Sequence, residues 1–392
     1  MTGAGSRVVR FELAVPADVR FGPGRITEVP PALVALRARH VLVVTGRATS
    51  RADPIRTALS EAGVSSVVFG VETEPSVEVV RAALAALAEA RCDAVLGYGG
   101  GSALDVAKAT AGLATAGADP LDFLEVVGAG RPIDKPGLPF IAVPTTAGTG
   151  SEVTRNAVLS SGGIKASLRS PFLLPKLAVV DPDLLIGLPG PTIAASGMDA
   201  LSQLIEPLLS SRANPFTDAL ARDGIRRSAR SLRRAALEGM VDTGVRDDLA
   251  LASLFGGLCL ANSGLGAVHG LAAAIGARLS APHGAVCAAV LGAATEINLR
   301  ALRDRAADHP ALPRIAEVAA LLTDQSDATA EEAIGWLHGL TAALSIPGLA
   351  SLGLAESDIG EVVAAAQRAS SMRGNPVPLS DAEVSEIVSR SL

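Results

Sequence analysis

Residues 97–108 read Gly-Tyr-Gly-Gly-Gly-Ser-Ala-Leu-Asp-Val-Ala-Lys and follow a short apolar stretch. A strand, a glycine turn and a helix start in this order make an anion site. Glycine lets the backbone approach a phosphate closely, and the free N–H groups of the first helical turn point at it. Ser102 and Asp105 have the spacing of a capping box, which predicts that the helix starts here. On its own, the stretch is equally compatible with an ordinary tight turn.

Residues 144–154 form a second glycine-rich stretch, Pro-Thr-Thr-Ala-Gly-Thr-Gly-Ser-Glu-Val-Thr, directly after the apolar run Phe140–Val143. Hydroxyl groups alternating with glycines offer hydrogen-bond donors to a phosphate or a ribose. A flexible surface loop is the alternative, but beside the first turn this stretch predicts a second wall for one nucleotide. The first turn lacks the G-x-G-x-x-G spacing and follows the third predicted strand, so a different nucleotide-binding scheme is expected.

A third candidate group consists of one acid, one amide and two histidines: Asp199, Gln203, His269 and His283. Asp199 and Gln203 are four residues apart in a predicted helix and therefore share one face. A carboxylate and two imidazoles are suitable ligands for a divalent metal. The alternative is that both histidines are ordinary core or loop residues.

Strand-like and helix-like segments alternate in the first half of the chain, which predicts βαβ units and a mostly parallel sheet. The predicted strands are Val41–Thr45, Ser66–Phe69, Ala94–Tyr98, Phe140–Val143 and Leu177–Val180, and the predicted helices are Asp53–Ala62, Val77–Ala90 and Ser102–Thr115. Helical patterns take over from about Leu188. We therefore expect an α/β nucleotide-binding domain at residues 1–187 and an all-helical domain at residues 188–392.

The composition of the 392-residue chain is apolar and poor in aromatic residues, which suits buried parallel strands and packed helices. Its net charge of −6 argues against a nucleic-acid-binding surface. Cys92, Cys259 and Cys287 have no metal-type spacing, and together with a polar start that lacks an apolar leader they predict a cytoplasmic protein. The apolar run Leu249–Ala277 contains His269 and several glycines, so we expect a buried helix pair and no membrane span.

The chain resembles the iron-containing (group III) alcohol dehydrogenases from about Phe21 to at least Leu299. Both glycine-rich stretches belong to the resemblance, as Gly-Gly-Gly-Ser-x-x-Asp-x-x-Lys at 99–108 and Pro-Thr-Thr-x-Gly-Thr-Gly-Ser-Glu at 144–152. The other matching positions are Lys165, Ser167, Leu168, Ser170, Pro171, Val180–Pro182, Gly197–Leu201, Val268–Gly270 and Pro282–Gly284. Residues beyond Leu299 match only as helical sequence.

This resemblance implies a dehydroquinate-synthase-like architecture and an NAD(P)-dependent oxidoreductase that forms a homodimer or a larger homo-oligomer. Cofactor and substrate would meet between the two domains. The implied cofactor contacts are Gly99, Gly100, Gly101, Ser102, Asp105, Thr145, Thr146, Thr149 and Lys165. The implied metal ligands, which are also the catalytic candidates, are Asp199, His269 and His283.

Gln203 departs from the family pattern, because the family usually has a histidine at this position. An amide oxygen is a weaker ligand than imidazole and suits harder ions. Gln203 could still complete a four-ligand site for Fe²⁺, the expected metal, or for Zn²⁺. The site could also be metal-free, as is thought for the related maleylacetate reductases.

Two further departures concern the substrate and the cofactor. Ala273 stands where many members have a second histidine near the reacting carbon, so a candidate proton-relay group is missing. Gly46 stands where NAD-preferring members commonly have an aspartate that binds the ribose hydroxyl. With Arg47 and Arg51 nearby, Gly46 permits a 2′-phosphate, so the cofactor is expected to be NAD or NADP, with NADP favoured.

The expected reaction is hydride transfer between a nicotinamide and a small or medium alcohol or aldehyde, with a metal as Lewis acid. Without a metal, His269 or His283 would have to polarise the carbonyl oxygen, which favours reduction of an activated keto acid. A dehydroquinate-synthase-like lyase is a further alternative. Residues 199–206 and 262–287 carry only Arg278 and no lysine, which argues against the phosphorylated substrate of such a lyase.

Overall fold

A computed structural model of the protein describes residues 10–279 and 281–392. The strands are β1 (Val19–Phe21), β2 (His40–Gly46), β3 (Ser65–Val71), β4 (Ala94–Gly99), β5 (Phe140–Pro144), β6 (Asn156–Ser161), β7 (Ile164–Arg169) and β8 (Leu177–Val180). Six of them form a parallel sheet in the order β1-β8-β5-β4-β2-β3, and β6 and β7 form an antiparallel hairpin. The predicted parallel α/β fold is thus confirmed. The expectation that the chain starts without an apolar leader concerns residues 1–9, which lie outside the described residues.

Helices connect and cover these strands. They are α1 (Val29–Ala35), α2 (Asp53–Glu61), α3 (Val77–Glu89) and α4 (Gly101–Leu113). The middle strands β4 and β5 are buried throughout, as expected for a parallel sheet covered on both faces. Helix α4 packs so closely on β4 that a Cβ atom on Gly97 would lie 2.9 Å from Leu104 Cδ2. This close packing places the start of α4 at the carboxyl edge of the sheet, where ligands bind in such folds.

The rest of the described chain is helical, as predicted. The helices are α5 (Gly190–Leu209), α6 (Pro215–Glu238), α7 (Thr243–Ser263), α8 (Ala267–Arg278), α9 (His283–Arg305), α10 (Ala311–Thr323), α11 (Ala330–Ala343), α12 (Ile359–Arg368) and α13 (Asp381–Arg390). The domain boundary predicted after residue 187 falls between β8 and α5 and stays a prediction.

A sharp bend between α7 and α8 shapes the centre of the helical region. The chain turns by 98° from α7 to α8, and the link between them includes Gly264 with a φ of 72°. The predicted buried helix pair is therefore present. Within the described residues, α9 alone has the length and apolar character to cross a membrane as a single helix, but 83% of its most apolar stretch is buried inside the protein. Helices α8 and α9 are thus core helices that converge on α5.

Candidate active site

The two glycine-rich stretches adjoin each other at the carboxyl edge of the sheet. A Cβ atom on Gly100 would lie 3.2 Å from Thr146 Oγ1, and one on Gly101 would lie 2.6 Å from Thr149 Cγ2. The second distance is shorter than real Cβ contacts allow, so glycine is required where the stretches meet. The structure therefore brings the predicted two walls together.

Gly99 lies between the ends of β2 and β5. Its carbonyl accepts a hydrogen bond from the backbone N–H of Thr145 at 2.9 Å, and a Cβ atom on it would lie 3.4 Å from the nitrogen of Gly46. Gly46 itself faces open space, because no atom lies within 4 Å of a Cβ atom built there. A larger side chain at residue 46 would therefore enter the space beside the first glycine turn.

Helix α4 begins at Gly101 without a side-chain cap, so the predicted capping box of Ser102 and Asp105 is wrong. The carboxylate of Asp105 instead bonds to residues outside its own helix. It accepts hydrogen bonds from Ser151 Oγ at 2.6 Å and from the N–H of Val158 at 3.0 Å. These bonds hold the second glycine-rich stretch, through Ser151, and strand β6, through Val158, against α4. Ser102 lies in the first turn of α4, and contacts of Ser102 and Asp105 with a cofactor stay predictions.

Lys108, the last residue of the first stretch, is fully buried and braces the same loop. Its ammonium group donates to the carbonyls of Ser151 at 2.6 Å and Asn156 at 2.8 Å, and to Thr154 Oγ1 at 2.8 Å. Burial lowers the pKa of Lys108 to about 8, although Asp105 raises it. The sequence analysis gave Lys108 no role of its own, yet a lysine inside the apolar pattern of α4 was a usable signal for such a brace.

Lys165 lies on β7 and lines a cleft of about 360 Å³ between the β6–β7 hairpin and the end of α8. Its Nζ atom is 3.1 Å from Glu74 Oε2 and would be 3.3 Å from a Cβ atom on Gly276. The cleft is at the opposite end of α8 from His269. Lys165 therefore lies apart from the histidines, and its contact with a cofactor stays a prediction.

Four potential metal-binding side chains meet where α5, α8 and α9 converge: Asp199, His269, His283 and Cys287, whose donor atoms all lie within 4.8 Å of one another. His269 Nε2 is 3.3 Å and His283 Nε2 is 3.8 Å from Asp199 Oδ1. The Sγ atom of Cys287 is 3.6 Å from His283 Nε2. The structure thus unites three predicted residues with the thiol of Cys287, so the expectation that Cys287 has no metal-type spacing is wrong. Its spacing of four residues after His283 on a helix was the available signal.

Glu206 orients His269 within this cluster. Its Oε2 atom lies 2.6 Å from His269 Nδ1, and its Oε1 atom accepts a hydrogen bond from the N–H of Val268 at 2.7 Å. Since the carboxylate takes the Nδ1 side of the ring, Nε2 remains directed at Asp199. The sequence analysis missed Glu206, although it lies two helical turns after Asp199 on α5.

Gln203 is buried on α5 beside these groups, and its Oε1 atom has no hydrogen-bond partner among residues 10–279 and 281–392. Burial raises the pKa of Asp199, but the hydrogen bond with His269 and the charge of His283 lower it below its usual value overall. Burial opposes the charged form of His269, yet the negative charges around it raise its pKa. An unpaired buried acceptor next to a carboxylate, two imidazoles and a thiol fits a divalent cation.

The second glycine-rich stretch docks directly on the helix that carries Asp199. A Cβ atom on Gly148 would lie 2.8 Å from the Cβ atom of Ser196, one helical turn before Asp199. The side chain of His283 remains 35% exposed, whereas that of Asp199 is only 2% exposed. The second glycine-rich stretch therefore reaches the helix of the cluster, in which His283 is more open to solvent than Asp199.

Sequence profiles of two families match nearly the whole chain: "Iron-containing alcohol dehydrogenase" at residues 16–182 and "Fe-containing alcohol dehydrogenase family, C-terminal" at residues 193–392. The 1,3-propanediol dehydrogenase of Citrobacter freundii is 35% identical over 388 residues, covering 96% of this chain and 97% of that relative.

Two solved structures share the fold. A crystal structure of 1,3-propanediol oxidoreductase aligns with a TM-score of 0.89 and 32% identity, over 98% of this chain and all of the other. The sulfoacetaldehyde reductase of Bifidobacterium kashiwanohense, solved with NAD⁺, aligns with a TM-score of 0.86 and 27% identity, over 98% of this chain and 99% of the other. The protein therefore belongs to the iron-containing alcohol dehydrogenase family of oxidoreductases.

Proposed function

We propose that this protein interconverts a small alcohol and its aldehyde or ketone by hydride transfer to or from NAD(P), with a divalent cation at the Asp199 cluster. The contact between Gly148 and Ser196 carries the proposal. It joins the nucleotide walls to α5 one turn from Asp199, so a nicotinamide and a substrate oxygen can occupy adjoining positions. Small substrates are supported by two relatives, a 1,3-propanediol dehydrogenase and a sulfoacetaldehyde reductase.

The proposed cofactor site follows the carboxyl edge of the sheet. Its pyrophosphate would lie on the free N–H groups at the start of α4, where the helix dipole favours negative charge. Lys165 would meet a part of the cofactor remote from the cluster. The complete proposed set is Gly46, Gly99, Gly100, Gly101, Ser102, Asp105, Thr145, Thr146, Thr149 and Lys165.

We propose Asp199, His269 and His283 as metal ligands and catalytic residues, with Gln203 beside them. Fe²⁺ is the cation that the family description implies. When bound, the nicotinamide carries the hydride and the cation polarises the substrate oxygen as a Lewis acid. Glu206 holds the His269 ring in place, and burial of Asp199 and His269 keeps water from their polar atoms. The partly exposed His283 faces the side from which a substrate enters.

NADP is the proposed preference between the two nicotinamide cofactors. Gly46 leaves open space where a carboxylate would repel a 2′-phosphate. Arg47 is exposed next to it, and its guanidinium donates to the carbonyl of Glu72 at 2.9 Å, which holds the positive charge near the end of β2.

A metal-independent reduction of a keto acid is the second candidate, and the amide of Gln203 in place of a ligating imidazole favours it. In that case His283, which is open to solvent on one side, would donate the proton to the carbonyl oxygen. The substrate would need an activated carbonyl, because general acid catalysis increases the reaction rate by only about 10²- to 10⁴-fold.

We also propose that the protein is a cytoplasmic homodimer or larger homo-oligomer. Cys92, Cys259 and Cys287 are free thiols, which supports a reducing compartment. The proposed oligomer rests on the family alone, and light scattering during gel filtration tests it.

Oxidation of NADPH or NADH by a series of short aldehydes and keto acids tests the proposed activity. We expect turnover with at least one short aldehyde, and faster turnover with NADPH than with NADH. Turnover with keto acids alone would favour the second candidate, and no turnover with either class would contradict both.

A further inference from the structure

The thiol of Cys287 is positioned to bind a cation together with Asp199, His269 and His283. It lies one helical turn after His283 on the same face of α9, and it is fully buried. Its Sγ atom is 3.6 Å from His283 Nε2 and within 4.8 Å of the donor atoms of Asp199 and His269. The thiol therefore forms a fourth corner of the group, supplied by a helix that already contributes one imidazole.

Gln203 competes for this fourth position and is the poorer candidate. Its Oε1 atom lies beside α7, 3.4 Å from the position that a Cβ atom on Gly256 would take. An amide is also neutral, whereas a deprotonated thiol is an anionic and polarisable ligand. The chain thus lacks an imidazole at residue 203 and has a stronger donor at residue 287.

We infer that Cys287 binds the cation as a thiolate, which gives an Asp-His-His-Cys site suited to Zn²⁺ or Co²⁺ in preference to harder ions. Metal binding displaces the thiol proton to solvent, so the Sγ–H bond breaks as the metal–sulfur bond forms. A soft thiolate raises the affinity for zinc, which binds cysteine and histidine more readily than magnesium or manganese does. This inference rests on the cation-assisted form of the proposed function.

X-ray absorption at the zinc edge of the zinc-loaded, full-length protein tests the inference directly. A zinc–sulfur distance of about 2.3 Å is resolved from zinc–nitrogen and zinc–oxygen distances of about 2.0–2.1 Å. The cobalt-loaded protein gives a second readout, because a thiolate ligand produces a charge-transfer absorption band in the near ultraviolet. Both measurements are made on the wild type, on Cys287→Ser and on Cys259→Ser. Cys259 is a matched control, since it is a buried cysteine on α7 whose thiol donates to the carbonyl of Thr217.

We expect one sulfur neighbour and the cobalt band in the wild type and in Cys259→Ser, and neither signal in Cys287→Ser. The zinc affinity of Cys287→Ser should fall at least about tenfold. A wild-type zinc spectrum without sulfur, or a cobalt band that persists in Cys287→Ser, would overturn the inference. The wild-type spectra decide the point even if Cys287→Ser fails to fold. The proposed function is judged separately by NAD(P)H oxidation, which does not depend on which residue is the fourth ligand.

Discussion

Glu206 Oε2 lies 2.6 Å from His269 Nδ1, and this pair is buried between α5 and the first turn of α8. The other oxygen of Glu206 accepts the N–H of Val268, so the carboxylate also caps a helix whose own N-cap is a glycine. One side chain thus fixes both the start of α8 and the orientation of the imidazole that α8 carries.

Replacement of Glu206 by Gln should weaken metal binding about 10- to 100-fold, because loss of the charged partner leaves His269 less basic and less firmly oriented. Titration against a competing chelator measures the affinity. Glu296→Gln is the control, since Glu296 is a half-exposed acid on α9 that pairs with Arg390. Equal affinities in the two variants would contradict the role given to Glu206.

Asp199→Asn should abolish turnover while the protein stays folded. The amide is nearly the same size as the carboxylate but lacks its charge, so it cannot neutralise a cation between two histidines. Asp223→Asn on α6 is the matched control, because Asp223 is half-exposed and pairs with Arg227 away from the cluster. Steady-state NAD(P)H oxidation and circular dichroism are measured for both, and near-normal activity of Asp199→Asn would refute the site.

Gly46→Asp should lower kcat/KM with NADPH at least about tenfold and change the value with NADH much less, because the new carboxylate would repel a 2′-phosphate. The substitution is sterically permitted, since no atom lies within 4 Å of the added Cβ. Gly339→Asp, also in open space but on α11, should leave both values unchanged. If the ratio of kcat/KM with NADPH to kcat/KM with NADH were the same in Gly46→Asp as in the wild type, this placement of the ribose would be contradicted.

The stability of the last helix should depend on pH through Glu383. Its ion pair with Arg305 and its capping bonds to Ser380 lower the pKa of Glu383 to about 2. Because the unfolded chain binds this proton more readily, the stabilisation is complete above pH 4.5 and is lost as the pH falls towards 2. Glu383→Gln should therefore cost about 1 to 2 kcal/mol at neutral pH, after allowance for solvent screening.

Thermal unfolding of Glu383→Gln and wild type between pH 7 and pH 3.5 measures this difference, which should shrink as the pH falls. Glu332→Gln is the comparison, because Glu332 forms the same type of capping box with Thr329 on α11. A destabilisation by Glu383→Gln that does not change with pH would exclude the ion pair as its cause.

Local sequence signals were sufficient for most of the sheet. The strand Leu177–Val180 was predicted to the residue, because its buried apolar run is bounded by polar and turn residues. The hairpin β6–β7 was not predicted, although Gly162 and Gly163 at its turn have positive φ and such a pair is a strong hairpin signal. Strand β7, Ile-Lys-Ala-Ser-Leu-Arg, also alternates apolar and polar residues, so the signals for this hairpin were present and were not used. Strand β1 has only three residues, too few for any periodicity.

The site could be predicted only in part, because its parts come from distant segments. Asp199, His269 and His283 were recognisable from residue type and family resemblance. Glu206 acquires its role only through contacts between α5 and α8, which no local pattern specifies. The four-residue spacing of Cys287 from His283 was a local signal, but it gains meaning only when α5 and α8 bring Asp199 and His269 beside it. The failed capping box at Ser102 has a similar cause: the bonds that Asp105 accepts from Ser151, in the loop after β5, and from Val158, on β6, take its carboxylate away from its own helix.

Metal content and activity, measured together before and after chelation, test the central claim most directly. The purified protein is analysed for iron and zinc by mass spectrometry, and its reduction of a short aldehyde by NADPH is followed in parallel. We predict a stoichiometric amount of divalent cation, loss of activity on chelation, and recovery when iron or zinc is restored. Full activity in metal-free protein would contradict cation-assisted hydride transfer and would make His269 and His283 the acid–base groups of a metal-independent reductase.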